Sequence, residues 1–117
     1  MNKTYYKGLD ANLCAMNDFQ YEVGGEYTAD TDDNWHWLHF TTKIDTALTY
    51  GCRVVEVQPL TKIQNFSVLD MNAKSIRIVR ELPKEEIVTL LHQAKLLKKT
   101  LKYCLKKLEA REDGGTE

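Results

Sequence analysis

Apolar and polar side chains alternate most clearly at five places along the chain. TYYKGL (4 to 9) ends at Gly8 and Asp10 and predicts an opening strand followed by a turn. FQYEV (19 to 23) sets Phe19, Tyr21 and Val23 against Gln20 and Glu22, which is strand periodicity, and Gly24-Gly25 permits a tight turn into GEYTA. ADTDDN (29 to 34) has little to bury and predicts an exposed loop. WHWLHF then predicts a strand with Trp35, Trp37 and His39 on one face and His36, Leu38 and Phe40 on the other. CRVVEVQPL and KSIRIVREL, bounded by Pro59 and Pro83, predict two further strands joined by a less regular connection, TKIQNFSVLDMNA.

Helical spacing appears twice. Thr42 and Asp45 have the separation of a capping box, so a helix is predicted from Lys43, burying Ile44, Ala47 and Leu48 and ending at Gly51 in a left-handed turn. After Pro83, with Glu85 and Glu86 at the positive end, neither proline nor glycine interrupts the chain to about residue 112. That predicts one helix of about 30 residues, about 45 Å long. Ile87, Leu90, Ala94, Leu97, Leu101, Cys104 and Leu108 make an a/d seam along it, widened by Leu91 and Leu105. A body of some 80 residues is only about 25 to 30 Å across, so part of this seam is expected to meet another chain, a second copy being the simplest.

Composition changes this picture little. The chain has 117 residues, 43% of them hydrophobic and 28% charged, within the range of one globular domain. The expected division is an α+β domain over 1-82 (a small mixed sheet with one short packed helix), a long C-terminal amphipathic helix over 83-112, and a frayed tail over 113-117. No apolar run reaches the roughly 18 residues of a membrane span, and MNKTYYKG lacks a signal-peptide core, so a cytoplasmic location is expected. Cys14, Cys52 and Cys104 are odd in number and widely spaced, which favours reduced thiols.

Charge is more informative in its distribution than in its net value of -1. Residues 1 to 45 hold eight acids against three bases, and residues 83 to 112 hold eight bases against four acids. Lys95, Lys98, Lys99, Lys102, Lys106 and Lys107 form a basic face that would suit phosphates, yet no nucleic-acid-binding signature accompanies it. His36-x-x-His39, beside Asp32 and Asp33, comes nearest to a metal motif. Positions three apart on a strand point to opposite faces, so no metal site is expected. Gly-rich phosphate loops, Gly-x-Ser-x-Gly and His-Glu-x-x-His are all missing, which argues against the common hydrolase and nucleotide-kinase chemistries.

Tyr6-Lys7-Gly8-Leu9-Asp10, Cys14, Phe19-Gln20-Tyr21-Glu22-Val23-Gly24, His39, Asp45, Tyr50 and Arg53-Val54-Val55-Glu56-Val57 occur in that order. This pattern, over residues 4 to about 82, resembles an uncharacterised domain family common in phage and prophage genomes. Trp37 and Thr41 stand where that family carries Gly and Cys. The resemblance implies an accessory protein made inside an infected bacterium, binding a host protein such as a component of a defence system without catalysis or cofactor of its own.

A second similarity is to the core of ADP-ribosyltransferases, through Tyr6-Lys7-Gly8 on a first strand, Phe40-Thr41-Thr42 closing a second, and Ala47-Leu48-Thr49-Tyr50-Gly51 ending a short helix before CRVVEV. It implies an NAD pocket built from Tyr6, Lys7, His39, Thr41 and Tyr50. Lys7 stands where those enzymes place Arg or His, and Glu56 or Glu81 would have to serve as the glutamate.

Overall fold

The first strand, β1 (Tyr5–Leu9), forms where TYYKGL predicts it and pairs antiparallel with β4 (Arg53–Pro59), Lys7 opposite Val55. The structure, a computed structural model, describes residues 3–15, 19–67 and 69–115, with side chains described as far as 109. β4 is flanked on its other side by β7 (Ser75–Glu81), which pairs in turn with β2 (Glu26–Thr28), giving a four-stranded sheet in the order β1-β4-β7-β2. A second sheet, β3-β6-β5, is built from β3 (Leu38–Phe40), β6 (Met71–Ala73) and β5 (Gln64–Asn65). All five pairings are antiparallel. Reciprocal backbone bonds between Tyr6 and Thr41, 2.7 and 2.9 Å long, join the two sheets at β1.

Central position explains the composition of β4. Val54 is buried among the helices while Val55 and Val57 are buried on the other core, so a run of valines rather than an alternation satisfies both faces. β7 keeps the alternating pattern, with Ile76 and Ile78 buried and Arg77 and Val79 exposed. The two cores are therefore distinct. One gathers Leu9, Tyr21, Phe40, Val55, Ile76 and Ile78; the other lies beneath the helices and includes Tyr6, Leu48, Val54 and Leu82.

The short helix α1 (Ile44–Tyr50) buries Ile44, Ala47 and Leu48 as the spacing predicts, but its ends differ from the expectation. Its N-cap is Lys43, which makes no side-chain cap bond, and Thr42 therefore does not cap it. The neighbouring Thr41 Oγ1 accepts from Lys43 N–H at 3.1 Å instead. Gly51 is fully extended rather than left-handed. Its glycine identity has another cause: a Cβ there would fall 2.0 Å from Leu9 O.

Two predicted strand segments take other forms. FQYEV contributes only a Cys14–Gln20 bridge, because the Gln20 side-chain amide donates to the carbonyls of Asn12 and Tyr21 and holds the segment as a loop. In WHWLHF, Asp33 Oδ1 accepts from Trp35 N–H, and Asn34–His36 wind into a 3-10 turn before β3 begins.

The largest departure is at the C-terminus. Instead of one helix there are two, α2 (Lys84–Gln93) and α3 (Lys98–Gly115), and residues 116 and 117 of the expected tail lie outside the described residues. Lys95 takes a left-handed φ of 54°, which costs a non-glycine residue about 1 kcal/mol or more. The turn brings α3 back over α1. Ile87, Leu91, Cys104 and Leu108 are buried beside Ile44, Ala47 and Leu48, with Leu90 and Leu101 packed at the edge. Of the seam assigned to an interface between chains, Ile87, Leu90, Leu101, Cys104 and Leu108 are thus used within this chain, and Ala94 and Leu97 stay exposed. Burial of several apolar side chains outweighs the local cost of one strained residue.

Candidate functional site

At the junction of the two sheets lies a cavity of about 380 Å³. β1 supplies Tyr6, Lys7 and Gly8; the 3-10 turn and β3 supply His36 to Phe40; Thr41 follows, and Tyr50 stands at the end of α1. Ala15, Phe19 and Tyr21 close it from the loop before β2, and Leu69 and Asp70 from the turn before β6. All five residues of the sequence-predicted pocket, Tyr6, Lys7, His39, Thr41 and Tyr50, therefore border one space. Its volume falls within the usual span for small-molecule sites.

Lys7 is the cation of this space. Its ammonium donates to the backbone oxygen of His39 at 2.6 Å and sits 5.4 Å from the centre of the Tyr21 ring. Burial pulls its pKa from 10.5 down to about 8, with Asp70 opposing the shift. Burial also pushes the Tyr21 phenol well above its ordinary value, and burial with the nearby Glu56 charge raises Tyr6.

His39 is held at both nitrogens. Nε2 meets the backbone oxygen of Trp35 at 3.1 Å and Nδ1 meets Asp70 Oδ1 at 2.7 Å. A carbonyl oxygen only accepts, so Nε2 is the donor in the contact with Trp35 O. Thr41 has an architectural part, since its backbone bridges to Tyr6 and its hydroxyl receives Lys43 N–H. Tyr50, 53% exposed, stands at the mouth. Beside the mouth, the exposed Trp35 ring stacks on Phe66 with centroids 4.7 Å apart and planes 16° from parallel.

The two histidines serve different carboxylates. His36 Nδ1 lies 2.8 Å from Asp33 Oδ2, while His39 turns to Asp70. Among the described residues no group of three or more His, Cys, Asp or Glu side chains could hold a metal ion. Glu56 and Glu81, the candidates for a transferase glutamate, do not border the cavity: Glu56 accepts from Arg80 Nε at 2.9 Å, and Glu81 accepts from Arg53 Nε at 2.7 Å. On the basic face, Lys95, Lys98, Lys99, Lys102 and Lys106 are exposed, whereas Lys107 donates to Thr49 O at 3.2 Å and fastens α3 to the end of α1.

The residues that periodicity missed are Tyr21 and Asp70. Tyr21 lies in the FQYEVG segment of the family-like pattern, which is a signal of a kind. Asp70 carries none, because only the antiparallel pairing of β3 with β6 brings it to His39.

The Lys7 shift gives stability a defined pH dependence. Below pH 8 the amine is charged in both folded and unfolded chains, and its burial cost is felt in full. Between pH 8 and 10.5 the folded chain has released a proton that the unfolded chain keeps, so stability rises with pH. From about pH 10 the tyrosines act oppositely, since unfolded phenols ionise before Tyr6 and Tyr21 do. Urea unfolding from pH 8 to 10 should show a gain on the order of 1 kcal/mol, which Lys7→Met removes. An equal rise in the variant would assign the effect to other groups.

Fold and site together define an α+β protein with a lysine-bearing, aromatic-walled cavity where its two sheets meet. No helix among the described residues is long and apolar enough to cross a membrane. Comparison with known proteins gives no match to a protein-family model, to a curated protein or to a solved structure.

Proposed function

We propose that the protein acts by binding, and that the cavity takes a small anionic, ring-bearing ligand of the nucleotide class. The observation that carries this reading is the convergence of the Lys7 ammonium with aromatic side chains around one space of about 380 Å³. An ammonium answers a phosphate, and the rings of Phe19, Trp37 and Tyr50 answer a base. Binding is preferred to ADP-ribosyl transfer because Glu56 and Glu81 are held by arginines away from the cavity. In the phage setting that the family resemblance implies, the ligand, or the host macromolecule carrying it, belongs to the infected bacterium, and its capture would blunt a host defence system. Association with a macromolecule or a second copy through the C-terminal region would use what stays exposed there, Leu97 and the lysines around it.

Thermal unfolding with millimolar NAD or adenosine monophosphate tests the reading. A ligand at one hundred times its Kd adds about 2.7 kcal/mol, a shift of several degrees for a domain of this size. Lys7→Met should weaken binding about 10- to 100-fold by removing a charged hydrogen bond. No shift with either nucleotide would reject the nucleotide class.

A further inference from the structure

We propose that Lys7 is a carbonyl-capturing amine: an aldehyde or ketone carried on an anionic or ring-bearing ligand enters the cavity and forms a reversible imine with Nζ. This inference rests on the cavity being a binding site, as argued above, and names a covalent step within it.

The surroundings of Lys7 differ from those of the exposed lysines. Its ammonium is part-buried at the junction of β1 and β3, whereas Lys95, Lys98, Lys99, Lys102 and Lys106 are exposed. Its hydrogen bond goes to a neutral carbonyl, His39 O, and the face of the Tyr21 ring lies beside it. Such walls solvate an ammonium poorly and leave a neutral amine nucleophilic, in keeping with a pKa near 8. Lys7 lines the cavity together with the solvent-exposed Tyr50 and Leu69, so a ligand entering from solvent can reach it.

The chemistry balances without an oxidant or a metal. The Nζ lone pair adds to the carbonyl carbon, a C–N bond forms, and the former carbonyl oxygen takes a proton from nitrogen to give a carbinolamine. Loss of that hydroxyl with the second nitrogen proton gives C=N and one water. Asp70, which borders the cavity and meets His39 Nδ1 at 2.7 Å, is the carboxyl group available there to relay protons between nitrogen and oxygen. Uptake of one proton from solvent gives the protonated imine, whose single N–H His39 O is placed to accept.

Site-resolved labelling of the folded wild-type chain tests the proposal. Two probes are used: formaldehyde with cyanoborohydride, and pyridoxal 5′-phosphate, an aldehyde on a phosphorylated ring, trapped with borohydride. Peptide mass mapping then follows all twelve lysines. Lys7 should label at least about tenfold faster than the exposed lysines of α3 with both probes, in line with its greater neutral fraction. The advantage should vanish in urea. Lys7→Arg, which keeps a cation there, should lose this label and no other. Lys7 labelling no faster than the α3 lysines in the folded chain overturns the proposal. The outcomes for the two readings separate cleanly: fast Lys7 labelling without any nucleotide-induced thermal shift supports imine capture and rejects the nucleotide class, whereas nucleotide binding with an unreactive Lys7 rejects imine capture alone.

Discussion

Gly8→Ala should destabilise the protein by about 3 kcal/mol or more, and should fail to give a cooperatively folded chain in the larger Gly8→Val form. A methyl group built on Gly8 would sit 1.8 Å from Ala47 O and 2.8 Å from Ala47 C. Both atoms belong to the backbone of α1, so no side-chain rotation relieves the contact. The helix would have to lift from β1. On lifting it would uncover Ala47 and Leu48, both fully buried, and draw Tyr50 away from the mouth of the cavity. The entropic benefit of replacing glycine, about 0.4 to 1 kcal/mol, is too small to offset this. Gly24→Ala is the control. Gly24 has a φ of 89° but nothing within 4 Å of its missing Cβ, so it should lose only about 1 kcal/mol of backbone strain energy. Urea unfolding followed by circular dichroism compares the variants, and a Gly8→Ala chain within 1 kcal/mol of the parent would contradict this close approach.

The same close approach shows what the sequence could and could not disclose. Alternation identifies β1, β4 and β7 because each has a face that must be buried, and the spacing of Ile44, Ala47 and Leu48 identifies α1 for the same reason. Gly51 was legible as the end of that helix, but its cause was not: the need is for space against Leu9 O, a contact fixed only once β1 and α1 are side by side. FQYEV has a strand's alternation yet stays a loop. Tyr21 is buried among rings, 4.8 Å from both Phe19 and Tyr27, so its burial comes without a strand partner on either side.

The site divides along similar lines. Similarity to a known core, not periodicity, groups Tyr6, Lys7, His39, Thr41 and Tyr50, and the folded chain places them around one cavity. Asp70 carries no sequence signal because a lone aspartate in an irregular connection has no pattern. Its significance arises from the register of β3 against β6, in which His39 faces Asn72 and Phe40 faces Met71. The fate of the candidate glutamates is equally non-local, since Arg53 and Arg80 reach them across the pairing of β4 with β7.

Leu108→Ala should cost about 2 to 5 kcal/mol, the usual range for truncating a fully buried leucine, while Leu97→Ala should change stability by no more than about 0.5 kcal/mol. The two residues belong to one apolar seam in the sequence. In a single straight helix packed on another chain they would be buried alike and should weaken the protein alike. The turn at Lys95 separates their fates: Leu108 is 0% exposed beside Leu48 and Ile87, and Leu97 is 78% exposed at the start of α3. Leu97→Glu sharpens the contrast. A carboxylate at an exposed position is tolerated, whereas one placed in a helix interface would be a buried unpaired charge and should be strongly destabilising. Denaturation of the three variants, with sedimentation velocity across a concentration series, separates the alternatives. Equal losses at residues 97 and 108, together with concentration-dependent stability, would mean that the helices open out and that the seam lies between chains. A large loss at 108 alone, independent of concentration, is the result expected of a helical pair closed over its own domain, because the apolar surface that holds α3 in place is then supplied by α1 and α2 of the same molecule.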